Sequence, residues 1–121
     1  MEVVAPVFDG LSGNGGRSFH CLQCGLAVSS SDRLLEIEGK VRHLFTNPMG
    51  IVCDLVTFIS CPGATPLGSP TMEHTWFAGY RWRLALCRGC GNHLGWHYEA
   101  EPNLRPVELW GLLMAHLKTR P

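Results

Sequence analysis

The sequence predicts a mostly β domain of short antiparallel strands joined by long loops, and three observations carry that prediction. "YRWRLALC" and "HLGWHYEA" alternate in the two-residue period of a strand, setting Trp82, Leu84 and Leu86 against Arg81, Arg83 and Ala85. In the second segment the same rule puts Leu94, Trp96 and Tyr98 on one face. "IVCDLVTFI" (51–59) is rich in the β-branched residues that strands favour. Two matching CxxCG units, "CLQCG" and "CRGCG", sit at opposite ends of the patterned region. At 121 residues the chain is one domain with a thin core.

Taken in order, the glycine-rich stretch through "GLSGNGGRS" makes residues 1–18 a flexible tail, with the folded domain over 19–118. "LLEIEGKVRHLF" has two apolar runs around Glu-Gly-Lys and reads as a hairpin. "NPMG" is a turn. "CPGATPLGSP", with three prolines and two glycines, reads as a loop. "VELWGLLMAHLK" is ambiguous: Val107, Trp110, Met114 and Leu117 have helical spacing, yet "ELWGL" is equally a last strand.

Ten basic and ten acidic residues cancel, and no run of like charge stands out, which argues against nucleic acid or an anionic membrane as partner. No apolar run approaches the ~18 residues of a membrane span. "MEVVAPVFDG" lacks the basic and apolar regions of a signal peptide, so the expected location is cytoplasmic. In such a reducing compartment paired CxxC units suggest zinc rather than disulfides. Cys21, Cys24, Cys87 and Cys90 supply four thiolates, which suit a tetrahedral Zn²⁺ and leave no open position, so the ion is structural. Cys53 reads as a small apolar strand residue, and Cys61 receives no role. His20, His43, His97 and His116 read as solvated or hydrogen-bonded, and His93 is a weak alternative ligand.

The other concentration of chemistry is aromatic. Trp82 precedes the second cysteine pair and Trp96 follows it, so a hairpin there brings both indoles onto one face, with Trp76 arriving from the loop side. Spacing leaves two readings open: ordinary core residues, or three walls of a slot. Trp110, in the tail, reads as core.

"EHTWFAGYRWRLALCRGCGNHLGWHY", with the Asn-Pro turn and the paired CxxC units, resembles the thalidomide-binding (CULT) domain of the cereblon family over about residues 21–113. The resemblance implies a β-tent, two antiparallel sheets meeting at an angle and pinned by zinc. It implies a tri-tryptophan cage that holds a cyclic imide such as a glutarimide, a succinimide or the base of uridine. By position Trp76, Trp82 and Trp96 are the walls, with Tyr98 beside them. His74 and the backbone of His74 and Trp76 would bond the imide, and Asn47 and Pro48 would cover it. Phe77 and Tyr80 stay on the core side. Met49 and Cys53 stand where the family varies. The expected partner is a small cyclic imide or a peptide ending in one, as in a degron. The Lon-like domain and the region that docks on a ubiquitin-ligase adaptor are not in this sequence. Two alternatives stand beside this non-enzymatic reading. One is an aromatic cage for a methylated ammonium, with Glu73 as counter-charge. The other is a zinc-pinned enzyme like methionine sulfoxide reductase B, which needs a reactive cysteine late in the chain, whereas none follows Cys90.

Overall fold

The structure is a computed structural model that describes residues 16–121; the expected tail lies outside the described residues up to residue 15. Among the described residues nine strands form two sheets: β1 (Ser18–Cys21), β2 (Ala27–Ser30), β3 (Arg42–Thr46), β4 (Val52–Phe58), β5 (Ala64–Thr71), β6 (Tyr80–Cys87), β7 (His93–Ala100), β8 (Glu108–Leu113) and β9 (Leu117–Arg120). The smaller sheet runs β2-β1-β9 and the larger β3-β4-β8-β7-β6-β5. Every strand pairing is antiparallel. The mostly β class read from the sequence is the class observed.

Alternation along the large sheet divides its side chains between two apolar clusters. On one face Val56, Phe58, Ala85, Leu94, Trp110 and Leu112 pack against Phe19, Val28 and Leu117 of the small sheet. Phe19 meets Phe58 edge-on at 5.0 Å between ring centres. On the other face Phe77, Tyr80, Tyr98 and Leu109 form a second cluster, with Phe45, Trp76, Trp82 and Trp96 packed on it. Residues Leu55 to Phe58 are all fully buried, which accounts for the unbroken apolar run in β4. The tail resolves as strand: Leu109 enters one cluster while Trp110 and Leu112 enter the other, and only Met114–His116 coils, as a single 3₁₀ turn.

Three local expectations are corrected. "CPGATPLGSP" is not a loop, because Ala64–Thr71 forms β5. Its prolines are tolerated because β5 is an edge strand, pairing with β6 alone and slipping register between Leu67 and Thr71. The hairpin expected over 34–45 shrinks to one bridge, Ile37↔Lys40; Leu34 pairs instead with Phe58, and the second arm becomes β3 on β4. Leu94 does not share a face with Trp96 and Tyr98. A bulge opens where Ala85 faces Gly95 but Leu86 faces His93, and the extra residue, Leu94, turns into the inter-sheet core.

Gly95 permits that bulge by close approach: a Cβ there would lie 2.2 Å from the Gly111 carbonyl oxygen of β8. Gly95→Ala must therefore separate β7 from β8. It is expected to cost about 2–3 kcal/mol, read as a lowered urea midpoint at unchanged slope.

Candidate functional site

Each cysteine pair closes a tight knuckle at a strand end. Cys21 ends β1 and Cys87 ends β6; the Gly25 and Gly91 N–H groups donate back to the Cys21 and Cys87 carbonyls at 2.8 and 2.9 Å. Both glycines take φ near +80° (83° and 78°), the left-handed value such a turn requires. All four sulfurs lie within 4.8 Å of one another. Cys21 to Cys90 is 3.7 Å and Cys24 to Cys87 is 3.6 Å. A tetrahedron with Zn–S bonds of about 2.3 Å has edges of about 3.8 Å, so the donor set fits that ion. The thiols also oppose one another without a cation. Burial works against the Cys21 thiolate, but backbone N–H groups of Cys24 and Gln23, with help from Cys90 and Cys87, bring it down to about 7. Cys90, although the Asn92 N–H favours its thiolate, is pushed up to about 12 by desolvation and the three neighbouring sulfurs. His93 is not among the converging donors: its Nε2 pairs with the Gly95 carbonyl at 2.9 Å.

The aromatic residues meet on the far face of the same hairpin. Trp82 stands opposite Tyr98 and Leu84 opposite Trp96, so the two indoles are diagonal neighbours. Trp76 meets Trp96 edge-on at 5.2 Å, with planes 79° apart. Together they bound a cavity of about 360 Å³. The positions singled out in the sequence, Asn47, Pro48, His74, Trp76, Trp82, Trp96 and Tyr98, all line it. Met49 and Glu73 complete the rim. Tyr98 is buried while the three indoles remain half-exposed. Core and wall were therefore not exclusive alternatives, since the indoles rest on the second cluster and face the cavity.

Two loops close the sides of this cleft, each held by specific hydrogen bonds. Asn47 Oδ1 accepts from the Met49 and Ile51 N–H groups, both at 2.9 Å, which fixes the Asn-Pro turn. The Trp82 indole N–H donates to the Glu73 carbonyl at 2.7 Å, and Thr75 Oγ1 donates to the Tyr80 carbonyl at 2.8 Å. Glu73 and Thr75 are thus tied inward. Between and beyond them, the His74 and Trp76 backbones make no hydrogen bond among the described residues. His74 also adopts φ of 57°, unusual for a residue with a side chain. A turn with alternate groups left unpaired offers N–H and C=O to a ligand.

Sequence reasoning missed Phe45. Its ring stacks on Trp76 at 4.9 Å and 12°, and Phe77 stands edge-on against it at 5.4 Å. Phe45 lies on β3, remote in sequence from the tryptophans, and only its place two residues before Asn47 hinted at the site. Cys53 and Cys61 are buried, and burial pushes both thiols up, the opposite of what a nucleophile needs.

The chain matches the family described as Yippee zinc-binding/DNA-binding/Mis18, centromere assembly, over residues 17–119. It is 38% identical to protein cereblon of Gallus gallus over 77 residues, 63% of this chain and 17% of that protein. Against Xenopus tropicalis cereblon it is 36% identical over 102 residues, covering 84% of this chain and 23% of the relative. The Danio rerio protein matches at 33% over 104 residues, 83% of this chain and 24% of the relative. The chain thus spans about a fifth of the length of these relatives, 17% to 24%. Among solved structures, the Mis18 Yippee-like domain shares the fold, with a TM-score of 0.61 at 13% identity over 88% of this chain and 97% of that one.

The indole N–H of Trp82 gives a direct test of how the cleft is held. Trp82→Phe keeps an aromatic wall but deletes the donor to Glu73. It is expected to cost about 1 kcal/mol in urea unfolding and to speed amide exchange at Thr75.

Proposed function

The chain belongs to the Yippee-Mis18 family as a cereblon-like CULT domain, and from that premise we propose that it is a binding module for cyclic imides. The observation that carries the reading is the pairing of three half-exposed indoles with the unbonded His74 and Trp76 backbone at one cleft. An imide edge presents carbonyl, N–H, carbonyl, so it needs a backbone acceptor flanked by donors. His74 and Trp76 supply backbone groups of both kinds, and the His74 side chain lies at the same rim. The rest of the ring is aliphatic, and flat indoles exclude water around it without demanding a charge. Asn47 and Pro48 cover its exposed side. Glutarimides of the thalidomide type, succinimides, uridine-like rings and cyclised C-terminal Asn or Gln residues all meet these requirements. A ring of about eight heavy atoms at roughly 1 kcal/mol each gives a dissociation constant on the order of micromolar.

Zn²⁺ is the proposed resident ion, held by Cys21, Cys24, Cys87 and Cys90, and it supplies structure alone: four thiolates leave no position for water or substrate. Catalysis of the sulfoxide-reductase kind is set aside because the two remaining cysteines are buried with raised thiols. A methylated-ammonium cage is the competing reading, since Glu73 lines the cleft.

Titration of a glutarimide compound, followed by tryptophan fluorescence, is expected to saturate in the micromolar range. Trp96→Ala should abolish it. Retained affinity in that variant, or tighter binding of a trimethyllysine peptide than of the imide, would overturn the reading. Cys90→Ser is expected to release zinc and unfold the domain, because structural zinc contributes on the order of 10 kcal/mol. A folded, zinc-free variant by circular dichroism and metal analysis would refute the structural role.

A further inference from the structure

Beside the tryptophan cleft lies a larger groove of about 590 Å³, lined by Leu35, Ile37, Phe45 and Phe77 among others. Trp76 lines both spaces. Glu36, Glu38, Lys40 and Arg105 also border the groove, two charges of each sign that select no net charge in an occupant.

One side of this groove is β3, and β3 is an edge strand. Its hydrogen-bond parity can be fixed. The Thr57 N–H donates to the Val41 carbonyl and the Asn47 N–H to the Ile51 carbonyl, both at 2.9 Å. The β3–β4 register runs between these points without a shift. His43 and Phe45 therefore turn their backbone groups toward β4, whereas Leu44 and Thr46 turn theirs outward. At the sheet edge those outward groups have no strand partner among the described residues. Leu44 is 70% exposed and itself lines the groove. The opposite edge of the same sheet, β5, is guarded by Pro66 and Pro70; β3 carries no proline. Guarding one edge and leaving the other open is what a sheet that accepts a strand requires.

The open edge also points at the cleft. β3 runs straight into Asn47 and Pro48, which line it, and Phe45 backs Trp76. We propose that β3 takes up the polypeptide preceding a C-terminal cyclic imide as an added strand, parallel to β3, which delivers the cyclised residue to the tryptophan cleft. The inference rests on the cyclic-imide reading and narrows it: the partner is a peptide end with an extended approach, not a free ring alone. About four residues span β3 at roughly 3.3 Å each. Outward groups at Leu44 and Thr46 allow two to four main-chain hydrogen bonds, and side chains alternate toward the groove.

The test compares an N-acetylated aminoglutarimide with the same ring carried at the end of peptides extended by about four residues. Extension is expected to tighten binding about tenfold, the yield of a few such bonds. N-methylation of the alternate peptide amides that face β3 should remove the gain. Leu44→Pro deletes an outward N–H and leaves the β4 ladder intact; it should erase the gain while the acetylated ring binds as before. Equal affinity of ring and extended peptide for the wild type, or a gain that survives both N-methylation and Leu44→Pro, overturns the added strand and leaves the cleft reading standing. Failure of the acetylated ring to bind the wild type overturns both.

Discussion

Cys21 and Cys24 belong to the small sheet, Cys87 and Cys90 to the hairpin that carries Trp82 and Trp96. Convergence of the four sulfurs is the constraint from which the rest of the architecture follows. Desolvation and the neighbouring sulfurs raise the Cys87 and Cys90 thiols while Cys21 is lowered, so four thiolates together need a shared cation. A cation held there would fasten the two sheets around the core of Phe19, Phe58 and Trp110. The four-cysteine cluster and the cleft share that hairpin but lie on different faces of it, so an ion held by the cluster would set the spacing of a site it does not touch.

The cleft depends next on small polar anchors. A wall of indoles built only from apolar contact would slide, because such contact is non-directional. Here the Trp82 N–H grips the Glu73 carbonyl and Asn47 Oδ1 grips two backbone N–H groups of its own turn. The loops are therefore positioned before any ligand arrives, and the unusual backbone of His74 is held by its neighbours at Glu73 and Thr75.

Local chemistry was legible in the sequence; long-range geometry was not. Two CxxCG units declare their ligands because the spacing within each knuckle decides where the sulfurs point. Strands β6 and β7 declared themselves by alternation; the cleft residues came only from the family resemblance carried by the run from Glu73 to Trp82, His93–Trp96 and the Asn-Pro turn, since spacing left core and wall open. Leu94 escaped because alternation assumes an unbroken register and says nothing of a bulge. β5 escaped because prolines count against a strand only where both its edges are paired. Phe45 escaped because a stack between distant segments leaves no periodic mark.

The open mouth of the cleft has a kinetic consequence. Its floor is sheet and its sides are two pinned turns, so a ring can enter and leave without any strand separating. At a micromolar dissociation constant and an association rate of about 10⁶ M⁻¹s⁻¹, a bound ring would depart after roughly a second. A ring-only occupant would thus be sampled and released many times a minute. Any outcome that needs minutes of occupancy must draw its persistence from contacts outside the tryptophans.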